Sequence, residues 1–392
     1  MTALSMRPMR QAPQAYCSNE PSHLNMGGRA LVAYGDPTQV ETWSGIPYFF
    51  LEAGRRGGLL AAGVVLRPKR LQPRRLVWDA LQLPFFNRPR GYMFSRACSN
   101  SLWRARRVPC EVNEYISHFP LLPPRELVHE PITYYLDATL RYWFDDYGFR
   151  VGKRVRDDAL ARERDAYHSA RFVVCMSRWC ADDVKSFYNL PAERVRVVLP
   201  GANIPETAIP PAREWNGDFS PLRLGFIGAD WSGKGGTLLL DAAVNLDRMG
   251  FPVEVVVIGS RDASVPDHPL VRSIGFIDKS HDIARFVKIV RTFHFGCLLS
   301  RAEALGISTL ECLRLGIPVI GRAVGGIVDT IPTGAGFLLP ADEHTSERLT
   351  EVLVDTLRAP ERYMAMRNAA EAAGKYCVWD RTASDFLTLL ES

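Results

Sequence analysis

Residues 296–340 constrain the fold of this chain more than any other stretch. Two short apolar runs, 295–299 (FGCLL) and 317–320 (IPVI), have the composition of buried strands. The segment between them has helical spacing, with Gly316 at its end and Pro318 preventing its continuation. Because a strand–helix–strand crossover joins parallel strands, we expect a parallel sheet here.

Two carboxylates flank the predicted start of this helix, Glu303 before a turn at Gly306 and Glu311 after it. Ser308 and Glu311 have the spacing of a capping box, which predicts Ser308 as the helix N-cap. Free N–H groups at a helix N-terminus bind anions, and neighbouring acids accept hydrogen bonds from hydroxyls. These groups suit a nucleotide sugar, in which a diphosphate joins a ribose to a hexose. The alternatives are that Glu311 only caps the helix and that Glu303 is a solvated loop acid.

Glu303 and Glu311 have E-x7-E spacing and are followed by GIPVI at 316–320 and then by a pair of glycines. This pattern resembles the donor-site signature of glycosyltransferase family 4, a retaining family of GT-B fold, and the resemblance covers roughly residues 29–385. It implies that Glu303 contacts the donor sugar and is catalytic, and that Glu311 contacts the ribose. The other donor-binding residues that it implies are Ala304, Leu305, Gly306, Ile307 and, in a stretch at 273–278 that edges the base, Phe276 and Ile277.

We therefore expect an α/β chain of GT-B fold, in which two doubly wound, Rossmann-like domains face a central cleft. Strand-like runs recur on both sides of a proline-rich segment that has the composition of a linker. The expected segments are a loose N-terminal tail over 1–28, an acceptor-side domain over 29–204, a linker over 205–221, a donor domain over 222–375 and a C-terminal helix over 376–392. The resemblance implies that this last helix packs back on the first domain.

A second phosphate candidate is the glycine-rich loop at 226–236 (FIGADWSGKGG). Gly233 and Gly235 allow the backbone to approach a ligand, and Lys234 supplies a positive charge for phosphate. The loop lacks the spacing of a P-loop and of a dinucleotide fingerprint, which argues against a dehydrogenase. It resembles the diphosphate loop of the family, which implies that Lys234 is catalytic and stabilises the leaving diphosphate.

The family's loop carries a basic pair, whereas the earlier arginine position here holds Ala229 or Asp230. Phosphate binding is then expected to depend on Lys234 and the backbone, or to recruit Arg301 or Arg322 as the second cation.

In the first domain, Ser44 and Gly45 follow the first predicted strand and open a helix. They either approach the transferred sugar or the acceptor, or they form a tight turn ahead of Pro47. Asp137 follows a strand at 132–136 (ITYYL), where many members of the resembled family have a histidine near the reacting centre. Asp137 is therefore a catalytic candidate, with a turn or helix-cap aspartate as the alternative.

Two histidines, His118 and His129, are alternatives to Asp137, each also explained as a loop residue. Arg178 ends another predicted strand and is a candidate contact for the acceptor or a phosphate, as is Arg301.

No metal or other cofactor is expected, because the resemblance implies that a helix dipole and basic side chains, here the helix start at Gly306 and Lys234, take the place of a metal. The nucleotide sugar is itself the substrate. The adjacent aspartates at 145–146, 157–158 and 182–183 lack the D-x-D form that holds a divalent cation against a diphosphate. The eight cysteines have no metal-ligand spacing, which favours reduced thiols in a cytoplasm. The first 28 residues lack a signal-peptide core, and no apolar run approaches the roughly 18 residues of a membrane span.

Residues 55–110 hold 13 Lys and Arg residues against one acid, Asp79, although the whole chain has a net charge of only +5. The aromatic residues interleaved with them are Trp78, Phe85, Phe86, Tyr92, Phe94 and Trp103. Such a region predicts contact with an anionic membrane surface, with the aromatic rings at the interface. A solvated basic face is the alternative, and no recognition motif for nucleic acid is present.

The sequence therefore predicts a retaining glycosyltransferase that is cytoplasmic or peripheral on the inner face of a membrane. It transfers a hexosyl group from a nucleotide diphosphate sugar, with UDP favoured over GDP, to a hydroxyl of a lipid or cell-envelope glycan. The alternative is a non-catalytic protein of the same fold that binds a nucleotide sugar or a protein partner.

Overall fold

The computed structural model describes residues 28–82, 91–211, 215–259, 265–343 and 345–392. The tail predicted over 1–28 lies outside these residues except for Gly28, which begins the first strand.

The first half of the chain forms a parallel six-stranded sheet with strand order β2-β1-β3-β4-β5-β6. Its strands are β1 (Gly28–Val32), β2 (Ala62–Val64), β3 (Val112–Ser117), β4 (Ile132–Leu136), β5 (Val173–Cys175) and β6 (Val195–Val197). All five residues of β4 are buried, as expected for a central parallel strand that is covered on both faces.

The second half forms another parallel six-stranded sheet, with strand order β12-β11-β10-β7-β8-β9. Its strands are β7 (Leu222–Ile227), β8 (Val253–Ile258), β9 (Val271–Gly275), β10 (Phe295–Leu298), β11 (Val319–Arg322) and β12 (Gly336–Leu339). Both orders are doubly wound, with switch points between β1 and β3 and between β7 and β10. Ligands of such sheets bind outside the carboxyl ends of the strands at the switch point.

Helices flank both sheets. Those of the first half are α1 (Ile46–Arg56), α2 (Gln72–Gln82), α3 (Arg96–Arg104), α4 (Leu140–Asp145), α5 (Lys153–Ser169) and α6 (Arg178–Tyr188). Those of the second half are α7 (Gly236–Arg248), α8 (Ile283–Val290), α9 (Ile307–Arg314), α10 (Ile327–Thr330), α11 (Ser346–Leu357), α12 (Pro360–Gly374) and α13 (Trp379–Glu391). Short 3-10 turns connect several of these elements.

The last helix, α13, crosses to the first sheet and packs against α1. The rings of Trp379 and Phe386 lie 5.8 and 5.2 Å from the ring of Phe50, centroid to centroid. The Trp379 Nε1–H also donates to Asn203 Oδ1 at 3.0 Å. The end of the chain therefore ties the second half back to the first.

Candidate active site

Two adjoining cavities lie where the carboxyl ends of the two sheets meet. The larger has a volume of about 780 Å³ and the smaller about 300 Å³, within the range of small-molecule sites. Both are lined from the first half and from the second. The residues common to both linings are Ser44, Lys234, Glu303 and Ile307.

The helix α9 begins at this junction with Gly306 as its N-cap. Gly306 has a φ of +84°, and a Cβ added to it would lie 2.7 Å from Leu298 Cδ2. Only glycine fits both the backbone angle and the space. The prediction of Ser308 as N-cap is wrong, because Gly306 turns the chain into the helix two residues earlier. Ser308 instead lies in the first turn of α9 and lines the larger cavity.

Glu311 does not complete the predicted capping box. Its side chain is 1% exposed and forms an ion pair with Lys279 Nζ. Burial raises the pKa of the Glu311 carboxyl, and the charge of Lys279 opposes that rise. The Lys279 ammonium lies 4.2 Å from the ring centroid of Phe286, and all three side chains line the larger cavity. Sequence reasoning missed Lys279, although it follows the 273–278 stretch directly.

Glu303 forms a second ion pair at the junction. Its Oε2 accepts from Lys234 Nζ at 2.6 Å and from Ser300 Oγ at 3.1 Å. A Cβ on Gly228 would lie 2.5 Å from Lys234 Cδ, so this glycine makes room for the lysine over the end of β7. Lys234 and Glu303 therefore lie together where the two cavities meet, as a paired cation and anion.

The glycines beside Lys234 shape the loop and line neither cavity. Gly235 has a φ of +78°, and a Cβ there would lie 2.3 Å from Leu299 O. The Gly233 N–H donates to Asp230 Oδ1 at 2.9 Å. The donor contacts of Gly233 and Gly235 therefore stay a prediction, while Asp230 fixes the conformation of the loop through this hydrogen bond.

Three arginines predicted as phosphate or acceptor contacts line neither cavity. Arg178 and Arg301 are exposed, and Arg301 contributes a backbone N–H to Gly233 O at 3.1 Å. The Arg322 guanidinium donates to Ala341 O at 2.6 Å. Among the described residues the cations that do line the larger cavity are Lys234 and Lys279.

Phe276 and Ile277 line the larger cavity with Gly259 and Phe286, at the end farther from Asp137. Phe276 is about half exposed and Ile277 is buried. Ala304, Leu305 and Gly306 line the smaller cavity, and Ala304 and Leu305 also pack against apolar residues of the first half. The backbone predicted to face the donor therefore lies in the cleft.

Asp137 lies directly after β4 and lines the smaller cavity opposite Glu303. Burial raises the pKa of its carboxyl to about 6, and the nearby charge of Glu303 adds to the rise, while backbone N–H groups oppose it. Asp137 is therefore a carboxylate at pH 7 that takes up a proton only slightly below that pH.

His118 follows β3 and, with Asp137, lines a separate narrow cavity of about 10 Å³. Its Nδ1 is 2.7 Å from Tyr135 O, and because a carbonyl only accepts, Nδ1 carries the proton. Burial lowers the pKa of His118 to about 4, so the ring is neutral at pH 7. Its buried Nε2 has no hydrogen-bond partner among the described residues and is left as an acceptor. His129, by contrast, is exposed and lines neither cavity.

The loop before α1 has three consecutive residues in the left-handed region. Trp43, Ser44 and Gly45 have φ values of +49°, +57° and +89°. Non-glycine residues in this region cost of order 1–3 kcal/mol each and cluster at functional sites. Trp43 Nε1 donates to Tyr34 O at 3.2 Å, and Asn203 Nδ2 donates to Ser44 O at 2.7 Å. Ser44 therefore lines both cavities, whereas Gly45 is buried and lines neither.

Aromatic side chains of the first half line the smaller cavity, and sequence reasoning missed them. They are Trp43, Trp143, Tyr147 and Phe149. Trp143 belongs to α4, whose first residue Leu140 donates its N–H to buried Glu163 Oε1 at 2.9 Å. We refer to these four side chains as the aromatic wall.

The basic region at 55–110 differs from the prediction. Tyr92, Phe94 and Trp103 are buried in the first core and cannot lie at a membrane interface, while Phe85 and Phe86 lie outside the described residues. The exposed apolar side chains are instead Leu76, Val77 and Leu81, at 60%, 62% and 71% exposure on α2.

The described residues contain no group of three or more His, Cys, Asp or Glu side chains able to hold a metal ion. No helix among them is long and apolar enough to cross a membrane.

The second half is similar to known proteins. Residues 221–373 match the family model described as "Glycosyl transferases group 1". A D-inositol 3-phosphate glycosyltransferase of Gordonia bronchialis is 26% identical over 231 residues, covering 53% of this chain and 49% of that protein. An alpha-D-kanosaminyltransferase of Streptomyces kanamyceticus is 27% identical over 237 residues, covering 56% and 60%. The chain spans about half the length of the curated relatives that it matches.

Solved structures share the fold. Sucrose-phosphate synthase from Thermosynechococcus elongatus gives a TM-score of 0.67 at 14% identity, covering 93% of this chain and 98% of that one. Anabaena HepE in complex with UDP and glucose gives 0.64 at 14% identity, covering 93% and 99%. At these identities the likeness shows the fold alone, and with the two parallel sheets it confirms the predicted GT-B fold.

Proposed function

We propose that this chain is a retaining hexosyltransferase, on the premise that residues 221–373 belong to the glycosyl transferases group 1 family. It transfers a hexosyl group from a UDP-sugar to a hydroxyl acceptor. The observation that carries the proposal is the larger cavity, into which the N-terminus of α9 opens beside two lysine–glutamate pairs.

The negative charge of the donor diphosphate is complementary to positive groups that line the larger cavity. The diphosphate lies between Lys234 and the free N–H groups at the start of α9, both of which favour an anion. Glu311 accepts from the ribose hydroxyls, and the base extends along Phe276 and Ile277. Glu303 accepts from the hydroxyls of the hexose. A diphosphate arriving at Lys234 competes with Glu303 for the ammonium, which releases the carboxylate for those hydroxyls.

Catalysis in this proposal is charge stabilisation and positioning. The bond between the sugar C1 and the diphosphate oxygen breaks as C1 bonds to the acceptor oxygen on the same face. The acceptor proton passes to the departing diphosphate. Lys234 and the start of α9 stabilise the charge that develops on that group. Asp137, opposite Glu303, accepts a hydrogen bond from a hydroxyl of the sugar or acceptor, and the proposal assigns no metal or cofactor.

A uridine donor is proposed in preference to a guanosine donor, because HepE of the same fold is described in complex with UDP and glucose. The acceptor is proposed to be a hydroxyl on a lipid-linked or cell-envelope glycan. The support is α2, whose exposed leucines lie among Arg67, Lys69, Arg70, Arg74 and Arg75. Basic residues beside an apolar helix face attract an anionic lipid surface. We therefore place the protein in the cytoplasm, peripheral on the inner face of a membrane.

A thermal-shift panel of UDP- and GDP-sugars tests the donor site. We expect one UDP-sugar to stabilise the wild type by several degrees, since a ligand at 100 times its Kd adds about 2.7 kcal/mol to the free energy of unfolding. Glu311→Gln should lose this shift. The matched control is Glu351→Gln, an exposed glutamate on α11 that lines neither cavity, and it should keep the shift.

Release of UDP in the presence of membrane extract distinguishes the two candidate functions. Stabilisation together with UDP release supports the transferase. Stabilisation without release supports a non-catalytic nucleotide-sugar-binding protein. No stabilisation by any nucleotide sugar would overturn the proposal.

A further inference from the structure

The smaller cavity has two unlike walls. One wall is the backbone and side chains of 303–307, which the proposed function assigns to the transferred hexose. The aromatic wall lies across from it on the first half of the chain. The aromatic wall is therefore a surface of the first half on which an acceptor can lie beside the hexose.

The aromatic wall is a connected apolar surface. The rings of Trp43 and Trp143 are 5.1 Å apart between centroids and inclined by 35°. The rings of Trp143 and Phe149 are 5.7 Å apart and stacked at 27°. Tyr147 is 43% exposed at the edge of the cavity. Broad aromatic faces of this kind pack against the C–H face of a pyranose or cyclitol ring, while polar groups around them fix the hydroxyls.

The charge around this wall is negative. The charged side chains that line the smaller cavity, within the described part of the chain, are Asp137, Glu303 and Lys234. Lys234 is already bonded to Glu303 at 2.6 Å and is assigned to the donor diphosphate. His118 lines a separate narrow cavity with Asp137 and is neutral, so it adds no positive charge. The two carboxylates accept hydrogen bonds from hydroxyl or amino groups and repel a phosphate.

The arginines near the cleft do not change this balance. Arg178 and Arg301 line neither cavity. Arg150, next to Phe149, is exposed and lines neither cavity either.

We propose that the acceptor presents to the aromatic wall a sugar or cyclitol ring that carries no phosphate group. The inference rests on the proposed function and narrows the class of molecules that serve as its acceptor. The aromatic wall holds the apolar face of the ring, and Asp137 selects its hydroxyl or amino substituents.

The test is a tryptophan-fluorescence titration of the full chain saturated with UDP. The ligands are two matched pairs, myo-inositol with myo-inositol 1-phosphate and glucosamine with glucosamine 6-phosphate. We expect at least one phosphate-free ring to quench the fluorescence and its phosphorylated partner to bind at least tenfold more weakly. UDP binding is first measured separately by thermal shift, so failure of the proposed function is detected before any ring is added.

Variants assign the signal to the aromatic wall. Trp143→Ala should weaken ring binding at least tenfold and leave the UDP-induced thermal shift unchanged. Trp143→Phe, which keeps an aromatic face, should retain most of the ring affinity and guards against a folding defect. Tyr376→Ala is the control, because Tyr376 is exposed and lines neither cavity.

Two results overturn the inference while the donor site stands. One is tighter binding of a phosphorylated ring than of its phosphate-free partner. The other is UDP binding with no ring of either pair bound, or with ring binding unaffected in Trp143→Ala.

Discussion

At the scale of single residues, the junction of the two cavities is a small set of charges held close together. Lys234 and Glu303 are paired at 2.6 Å, and Asp137 lies opposite them at the end of β4. Burial is the main reason that the pKa of Asp137 rises to about 6, and the charge of Glu303 adds to it. The cost of keeping Asp137 ionised in this cleft should therefore appear in the pH dependence of stability.

We expect Asp137→Asn to stabilise the protein at pH 7. Because the folded-state pKa of Asp137 exceeds that of the unfolded chain, the folded protein binds this proton more tightly. Wild-type stability from this group is then highest below about pH 4 and falls as the pH rises to about 6. The variant lacks this fall. The difference in free energy of unfolding between the variant and the wild type therefore grows over this pH window to at most about 3 kcal/mol.

Urea denaturation at pH 4 to 8 measures this difference. Asp355→Asn, at an exposed position on α11, is the control and should show no such window. A difference between Asp137→Asn and the wild type that does not vary with pH would contradict the prediction. In the transferase assay, kcat/KM of the wild type should also fall below about pH 6, and the variant should lose this limb.

At the scale of elements, the start of α9 is fixed by backbone conformation. The left-handed Gly306 starts α9 at the cleft, which its first residues line, and Thr309 Oγ1 donates to Gly306 O at 2.6 Å. Glu303 and Glu311 then lie on either side of these groups because the helix begins between them. A change at Gly306 should disturb all of these positions together.

We expect Gly306→Ala to lower the free energy of unfolding by more than the backbone cost alone and to abolish the UDP-sugar thermal shift. Gly250→Ala is the matched control, since Gly250 has a φ of +85° but open space around its Cβ position. That control should cost about 1–2 kcal/mol, the price of a left-handed alanine, and should leave donor binding intact. Equal losses in the two variants would mean that the contact with Leu298 is unimportant.

A second element-scale prediction concerns α2. Leu76→Gln with Leu81→Gln should reduce cosedimentation with anionic phospholipid vesicles at least tenfold, because both side chains are exposed apolar surface. Arg74→Gln should reduce cosedimentation about fivefold, because each basic residue near an anionic surface contributes about 1 kcal/mol to membrane binding. Met249→Gln, an equally exposed apolar side chain on the second half, should have no effect. Unchanged binding in the leucine double variant would argue against the membrane role of α2.

At the scale of the whole molecule, contacts between the two halves hold the cleft. The Asp329 carboxylate of α10 accepts from the N–H groups of Arg178 and Trp179 at 2.7 and 3.2 Å, and so caps α6 across the cleft. Behind the cleft, α13 returns to α1. Arg178, predicted as a ligand contact, thus participates through its backbone in joining the halves.

We expect Asp329→Ala to shift the protein towards a more open arrangement. The loss of a helix cap costs about 1 kcal/mol, which is about a fivefold change in the ratio of closed to open forms. Small-angle scattering should show a larger radius of gyration without ligand, and the KM for the donor should rise about fivefold. Asp241→Ala, on the exposed face of α7, should change neither quantity. An unchanged radius and KM in Asp329→Ala would show that this cap does not set the arrangement of the halves.

The sequence by itself determined the parallel α/β architecture and the segments that reach the cleft. Apolar runs such as 295–299 are local signals, and the spacing of Glu303 and Glu311 about a glycine is local as well. Local patterns suffice for these features because a strand, a turn and a helix start depend mainly on their own residues.

The tertiary structure alone decided which side chains meet. Lys279 reaches Glu311 from 32 residues away, and the aromatic wall combines Trp43 with residues some 100 positions later. It also placed Arg178 and Arg301 outside the cavities and buried Tyr92 in the core. The physical reason is that these partners come from loops at the carboxyl ends of different strands. Their proximity is set by strand order and domain packing, which no local pattern encodes.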